Sequence, residues 1–73
     1  MMIPLGKKGR IVAGEHQGWH IEVVHEEVDT GGFYIFTIEP APGITVYDYW
    51  FLTLGEVEGQ FQYNRWIIEW ISS

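Results

Sequence analysis

The distribution of apolar side chains along the chain predicts β-strands through most of its length. From position 19 to position 24, apolar and polar residues alternate. The apolar residues Trp19, Ile21 and Val23 share one side, and the polar residues His20 and Glu22 share the other. A period of two is typical of a strand with one buried face and one wet face. We therefore expect a strand over 19–24 that forms part of a half-exposed sheet.

Three further segments have extended character, and turn-forming residues separate them. The sequence Gly-Lys-Lys-Gly at 6–9 predicts a turn. It leads into a short strand over 10–13, where Ile11 and Val12 favour extended backbone. Positions 33–38 are apolar on both faces, as in an interior strand. Positions 44–50 are β-branched and aromatic, with Asp48 as the exception. Breaks are predicted at 14–18, at 29–32 and at the proline-containing stretch 39–43.

A short helix is predicted after the fourth strand. Thr53 and Glu56 have the spacing of a capping box, in which each side chain accepts a hydrogen bond from the other residue's free amide. Leu54, Val57 and Phe61 then form one apolar stripe at helical spacing. Two glycines within this segment lower its helix propensity, so the helix depends on packing against the sheet.

The segment 66–71 closes the chain as a last strand, with Trp66, Ile68 and Trp70 on one face. The predicted order is β-β-β-β-α-β. This order indicates an α+β fold: a small single-layer antiparallel sheet of about four to five strands packed against one helix. A chain of 73 residues has room for one such domain, which we assign to 1–73.

The aromatic content changes the picture of the surface. Four Trp, four Tyr and four Phe give twelve rings in 73 residues, and each can bury roughly 150 to 250 Å². A single-layer domain cannot hide all of them, so we expect aromatic surface to be shared with a partner or a second copy.

Composition excludes several classes of function. The chain has no Cys, and its only Ser residues are Ser72 and Ser73, so thiol catalysis, Cys-ligated metals and a Ser-His-Asp site are not expected. Four Lys and Arg against ten carboxylates give a net charge of −6, which disfavours nucleic-acid binding. No apolar run approaches the length of a membrane span or a secretory signal, which predicts a cytoplasmic protein that does not bind membranes.

Histidine is the candidate metal ligand that remains, at positions 16, 20 and 25. An odd separation along a continuous strand sends His20 and His25 to opposite faces. We therefore expect no metal site and no other cofactor.

The leading hypothesis is a small acidic protein-interaction module without catalytic residues, which binds through an aromatic and acidic sheet face. An inhibitor or immunity-type protein that occupies a basic partner is one instance. Self-association as a homodimer is expected where no partner is present. The candidate interface residues are His20, Glu22, Tyr34, Tyr47, Asp48 and Tyr49.

Two alternatives stay open. One is a small enzyme, or a ligand- or metal-binding domain, with a site near His20, Glu22 and Asp48. The other is a structural unit that forms oligomers and binds no separate ligand. Strand alternation places some of the candidate residues on the sheet face opposite the helix, but a one-residue change of register exchanges the faces.

Overall fold

The alternating segments form strands and the capping-box segment forms a helix, in the predicted order. The computed structural model describes residues 3–41 and 43–71. The elements are β1 (Lys8–Ala13), β2 (His20–His25), β3 (Phe33–Ile38), β4 (Val46–Phe51), α1 (Leu54–Tyr63) and β5 (Ile67–Trp70). The predicted α+β class is confirmed.

The five strands form one antiparallel sheet in the order β4-β3-β2-β1-β5. The first four strands are a meander, in which each strand pairs with its neighbour in the sequence. The last strand, β5, pairs with β1 and so lies at the edge opposite β4. Because β4 and β5 run parallel at opposite edges, α1 has to cross one face of the sheet to join them.

The first strand begins two residues earlier than the predicted boundary, so the predicted turn at 6–9 is wrong at Lys8 and Gly9. Gly6 keeps turn geometry, with a φ of 73°. Gly9 instead lies in the ladder opposite Trp70. A Cβ at Gly9 would lie 2.5 Å from Ile68 Cγ2 and 2.8 Å from Trp70 Cε3. This glycine therefore serves the close approach of β5 to β1 rather than a turn.

The helix begins as the capping box predicts. The Glu56 amide donates to Thr53 Oγ1 at 3.2 Å, and the Thr53 amide donates to Glu56 Oε1 at 3.1 Å. Val57 and Phe61 are buried against the sheet, whereas Leu54 is 36% exposed. Asn64 ends the helix by donating its amide back to the Gln60 carbonyl.

The core lies between α1 and the sheet. Its buried apolar residues come from β1, β2, β3 and α1, and also from the segments that precede β1 and β5. They are Ile3, Ile11, Ile21, Val23, Ile35, Val57, Phe61 and Trp66. Trp66 packs edge-to-face on Phe61 with ring centroids 5.1 Å apart. Its indole N–H donates to the Glu15 carbonyl at 2.7 Å. Trp66 therefore ties the end of α1 to the loop between β1 and β2.

We expect Trp66→Ala to lower the free energy of unfolding by about 3 to 5 kcal/mol, because it removes a buried ring and leaves the Glu15 carbonyl without its donor. Trp70→Ala should cost less, since Trp70 is only half-buried on the edge strand β5. Urea unfolding of both variants measures the difference. An equal loss for the two variants would contradict the placement of Trp66 in the core.

One buried polar group has no partner. Thr37 on β3 is 0% exposed, and its hydroxyl makes no hydrogen bond to any described residue. It faces the helix side between Ile21 and Tyr47, its register partners on the two neighbouring strands. An unpartnered buried hydroxyl costs about 1 to 3 kcal/mol.

Replacing this hydroxyl by a methyl group should therefore stabilise the domain. We expect Thr37→Val to raise the free energy of unfolding by about 1 kcal/mol or more, because Val retains the branched shape and removes the desolvated oxygen. Thr45→Val, at an exposed position before β4, is the matched control and should change little. Chemical unfolding of the three proteins checks this, and a destabilised Thr37→Val variant would show that the hydroxyl has a partner.

Candidate functional site

The sheet surface opposite α1, which we call the helix-free face, is defined by strand register. Ile21, Val23 and Ile35 point to α1, so the even-numbered residues of β1 to β4 point away from it. The register aligns these residues in three rows across the sheet. The rows are Lys8, Glu22, Phe36 and Asp48; Arg10, His20, Ile38 and Val46; and Val24, Tyr34 and Trp50.

Six neighbouring residues on β2, β3 and β4 form an apolar patch on this face: Val24, Tyr34, Phe36, Ile38, Val46 and Trp50. All six are partly or largely exposed, with Val46 52% and Trp50 43% exposed. Tyr34 stacks on Phe36, with ring centroids 5.5 Å apart and planes 12° from parallel. The patch is therefore continuous across three strands.

Trp50 holds its position at the end of the patch through two contacts with the β2–β3 turn. Its indole N–H donates to Thr30 Oγ1 at 3.1 Å. Its ring lies directly against Gly32, where any Cβ would overlap the indole. A glycine at 32 therefore permits the ring to lie flat at the margin of the face.

Charge is distributed unevenly across the helix-free face. The cations Lys8 and Arg10 lie on β1, and Asp48 lies on β4 at the opposite side. Glu22 lies between them, and Glu69 pairs with Arg10 at 3.0 Å on the exposed surface. With two cations and three carboxylates, this face is close to neutral, and most of the net charge of −6 lies elsewhere.

The structure divides the six predicted interface residues between the two faces. His20, Glu22, Tyr34 and Asp48 lie on the helix-free face. Tyr47 and Tyr49 lie on the other face, because they pair with Thr37 and Ile35, which are both buried on the helix side. These two tyrosines therefore do not belong to the helix-free face.

Tyr47 belongs to an aromatic cluster on the helix side of the sheet. The His16 and Trp19 ring centroids are 4.3 Å apart, and the Trp19 and Tyr47 centroids are 5.7 Å apart with planes 8° from parallel. His16 adopts a φ of 59°, a left-handed conformation that is uncommon outside glycine. The rings contact one another directly, which leaves no space between them for a ligand.

Tyr49 is half-buried and packs edge-to-face on Trp66, with ring centroids 6.3 Å apart. Burial raises the pKa of its phenol above the usual value, and the nearby Glu15 carboxylate and Tyr47 raise it further. The position of the phenol between the sheet and Trp66 therefore disfavours its ionised form.

The residues of the predicted alternative site do not converge. Glu22 and Asp48 lie on β2 and β4 with Phe36 between them, so their strands are about 10 Å apart. His20 and His25 lie on opposite faces, and His25 stacks on Phe33 with centroids 4.4 Å apart. Within residues 3–41 and 43–71, no three His, Asp or Glu side chains come close enough together to hold a metal ion.

An open groove of about 260 Å³ runs beside β1. Its lining is Arg10, Ile11, Val12, Gln17 and Gly18. The charged residue of this lining, Arg10, is already paired with Glu69. The groove therefore offers few polar groups with which to orient a ligand.

Comparisons of the chain with protein-family models, with curated proteins and with solved structures found no match. Among the described residues, no helix is long and apolar enough to cross a membrane. The geometry of the chain itself is therefore the basis for a functional proposal.

Sequence reasoning missed most of the apolar patch. Val24, Phe36, Ile38, Val46 and Trp50 were not among the predicted interface residues. The available signal was the run at 33–38, which is apolar on both faces. A strand of that kind in a sheet covered on one side has to expose one of its apolar faces.

The raised pKa of Tyr49 predicts how stability changes at alkaline pH. The unfolded chain loses this proton at the ordinary tyrosine value of 10.0, below the folded value. The contribution of the protonated Tyr49 phenol to the free energy of unfolding is therefore complete below pH 10. It is lost as the pH rises through the pKa of Tyr49 in the folded protein. We expect Tyr49→Phe to lose less stability than the unmodified protein between neutral and strongly alkaline pH.

Thermal unfolding measured as a function of pH tests this expectation. Tyr63→Phe is the matched control, since Tyr63 is 84% exposed on α1. If Tyr49→Phe and Tyr63→Phe give the same alkaline profile, the environment assigned to Tyr49 is incorrect.

Proposed function

We propose that the chain is a non-enzymatic protein-interaction domain that works through its helix-free face. The apolar patch is the observation that carries this proposal. It joins aromatic and aliphatic side chains on three strands and is bordered by Glu22 on β2 and Asp48 on β4, with the β1 cations one strand further out. An apolar centre with a polar rim is typical of protein interfaces.

A second copy of the chain is the occupant that we propose for this face. The β1 side carries Lys8 and Arg10, and the β4 side carries Asp48. A face with opposite charges at its two sides is complementary to itself when one copy is turned over. The near balance of charge also limits the repulsion that two chains of net charge −6 would otherwise experience at the contact.

Charge selects one packing of the two sheets. A two-fold axis parallel to the strands, passing between β2 and β3, places β4 of one copy over β1 of the other. Asp48 then faces the Lys8 and Arg10 side of the second copy. An axis perpendicular to the strands would instead place each strand over itself and bring like charges together. We therefore propose the first arrangement, in which β3 of each copy covers β2 of the other and the apolar patches overlap at Val24 and Tyr34.

The dimensions of the face indicate a weak contact. Five strands about 4.8 Å apart and six residues long cover roughly 400 to 500 Å² in projection. A stable interface buries about 800 Å² on each partner. We therefore expect a reversible dimer that forms at high concentration.

The same charge balance does not favour a strongly basic partner on this face. Lys8 and Arg10 are two of the four Lys and Arg of the chain, and both lie here. The acidic surface is elsewhere, for example at Glu26, Glu27 and Asp29 beside the β2–β3 turn. An inhibitor-type role against a basic partner stays a prediction from composition, and the geometry supports self-association more directly.

Sedimentation over micromolar to millimolar concentrations tests the proposal. We expect the unmodified chain to show a monomer–dimer equilibrium. Val24→Lys should remain monomeric because it places a charge where Val24 lies over Tyr34 of the second copy. This variant changes the net charge only from −6 to −5. Loss of the dimer could therefore not be attributed to greater repulsion between the chains.

Tyr63→Lys makes the same change of charge on the exposed side of α1 and should leave the dimer intact. Circular dichroism of both variants establishes that they are folded. A protein that stays monomeric throughout the concentration range, or a Val24→Lys variant that dimerises as strongly as the unmodified chain, would refute the second copy as occupant.

A further inference from the structure

We propose that the free edge of β4 accepts an extended segment of a partner protein as a sixth strand, with a basic residue of that segment facing Asp48. This surface is the edge of the sheet, and the proposal does not depend on the contact at the helix-free face. In such a complex the main chain provides the hydrogen bonds and alternate side chains provide specificity.

The two edges of the sheet differ in how well they are protected. The β5 edge is four residues long, and its pairing with β1 has a register irregularity between Ile11 and Ala13. Short edge strands and bulges are devices that discourage further pairing. All six residues of β4 pair one-to-one with β3 without a shift. The β4 edge is therefore regular and long enough to template another strand.

Exposed apolar side chains are concentrated along β4 and its flanks. Five large apolar residues in nine positions are substantially exposed: Ile44, Val46, Tyr47, Trp50 and Leu52. The strand itself contains no Lys and no Pro, the residues that commonly block edge pairing. Alternate residues of an edge strand direct their N–H and C=O groups away from the sheet. An added strand would satisfy these groups and cover part of the apolar surface.

Charge determines the chemistry of the occupant. Asp48 is exposed in the middle of β4 and forms no salt bridge with any described residue. The Lys and Arg residues of the chain are at positions 7, 8, 10 and 65. Lys8 and Arg10 lie on β1, three strands from β4, which is about 14 Å away. Asp48 therefore lacks a cation, which a Lys or Arg on the added strand would supply.

A second copy is a less suitable occupant of this edge than a basic strand. Antiparallel pairing of two β4 strands with both helices on the same side pairs five residues of each strand, in one register centred on Asp48 and in another centred on Tyr49. The first register places Asp48 opposite Asp48 of the other copy, and the second places Asp48 opposite Trp50. Like charges directly opposite each other destabilise a strand pair. Asp48 therefore disfavours one of the two registers in which identical edges can pair and gains no cation in the other, whereas a basic strand supplies one.

The probe is a capped seven-residue peptide with threonine at positions 1, 3, 5 and 7, valine at 2 and 6, and lysine at 4. Lysine and valine then share one face of the added strand, where they meet Asp48 and the apolar side chains beside it. Two control peptides carry glutamate in place of lysine, or N-methyl groups that block the hydrogen bonds to β4. Titrations are followed by the amide NMR signals of the protein.

We expect the lysine peptide to shift the amides of β4 and to give intermolecular contacts with that strand. The glutamate peptide should bind about tenfold more weakly, as expected from exchanging an attractive cross-strand pair for a repulsive one. The N-methylated peptide should not bind. Asp48→Lys, which changes an exposed position, should reverse the preference between the lysine and glutamate peptides.

The titrations are repeated in the Val24→Lys background, so that the edge is tested whether or not the chain dimerises through its helix-free face. Equal binding of the lysine and glutamate peptides, retention of binding by the N-methylated peptide, or shifts confined to β1 and β2 would each overturn the proposal. The proposal would also be overturned if the unmodified chain bound no peptide and the Asp48→Asn variant self-associated. That result would assign Asp48 to blocking edge pairing alone.

Discussion

The structure depends on one constraint: a single short helix has to provide the core for a five-stranded sheet. A helix of ten residues is about 15 Å long, which is enough to cover one face only. Val57 and Phe61 on the helix pack with Ile11, Ile21, Val23 and Ile35 from the sheet, and this layer contains most of the buried apolar residues. The opposite face retains apolar side chains that no helix or strand within residues 3–41 and 43–71 covers. Core formation and exposed apolar surface thus have the same physical origin.

The path of the chain adds a second consequence. Because α1 connects the two edges of the sheet, β4 and β5 each remain unpaired on one side. The β5 edge is protected because β5 is short and its register with β1 is irregular, whereas the β4 edge is regular. The helix-free face and the β4 edge meet at Asp48, because Asp48 lies on that face and its strand forms the edge. A basic strand bound at the edge and the β1 cations of a second copy would therefore compete for the Asp48 carboxylate.

The sequence predicted features that depend on local spacing. The reciprocal hydrogen bonds of Thr53 and Glu56 follow from their separation of three residues, and the boundaries of β3 follow from the turn residues around a continuous apolar run. The separation of His20 and His25 to opposite faces follows from the period of two along a strand. Each of these properties is determined within one element, where no information about the rest of the fold is needed.

The alternation of side chains and the helical spacing after Thr53 thus determined by themselves that this protein would have a small α+β fold, with one helix against an antiparallel sheet. Only the tertiary structure decided which side chains occupy the uncovered half. Tyr34 and Tyr47 have the same residue type and each follows an apolar residue, yet the pairing of β3 with β2 and β4 places them on opposite faces. The partner of Arg10 is Glu69, 59 residues away, because β5 returns to pair with β1. Pairing between strands fixes the face of every residue at once, and a shift of one position would exchange the two faces, so local sequence patterns do not contain this information.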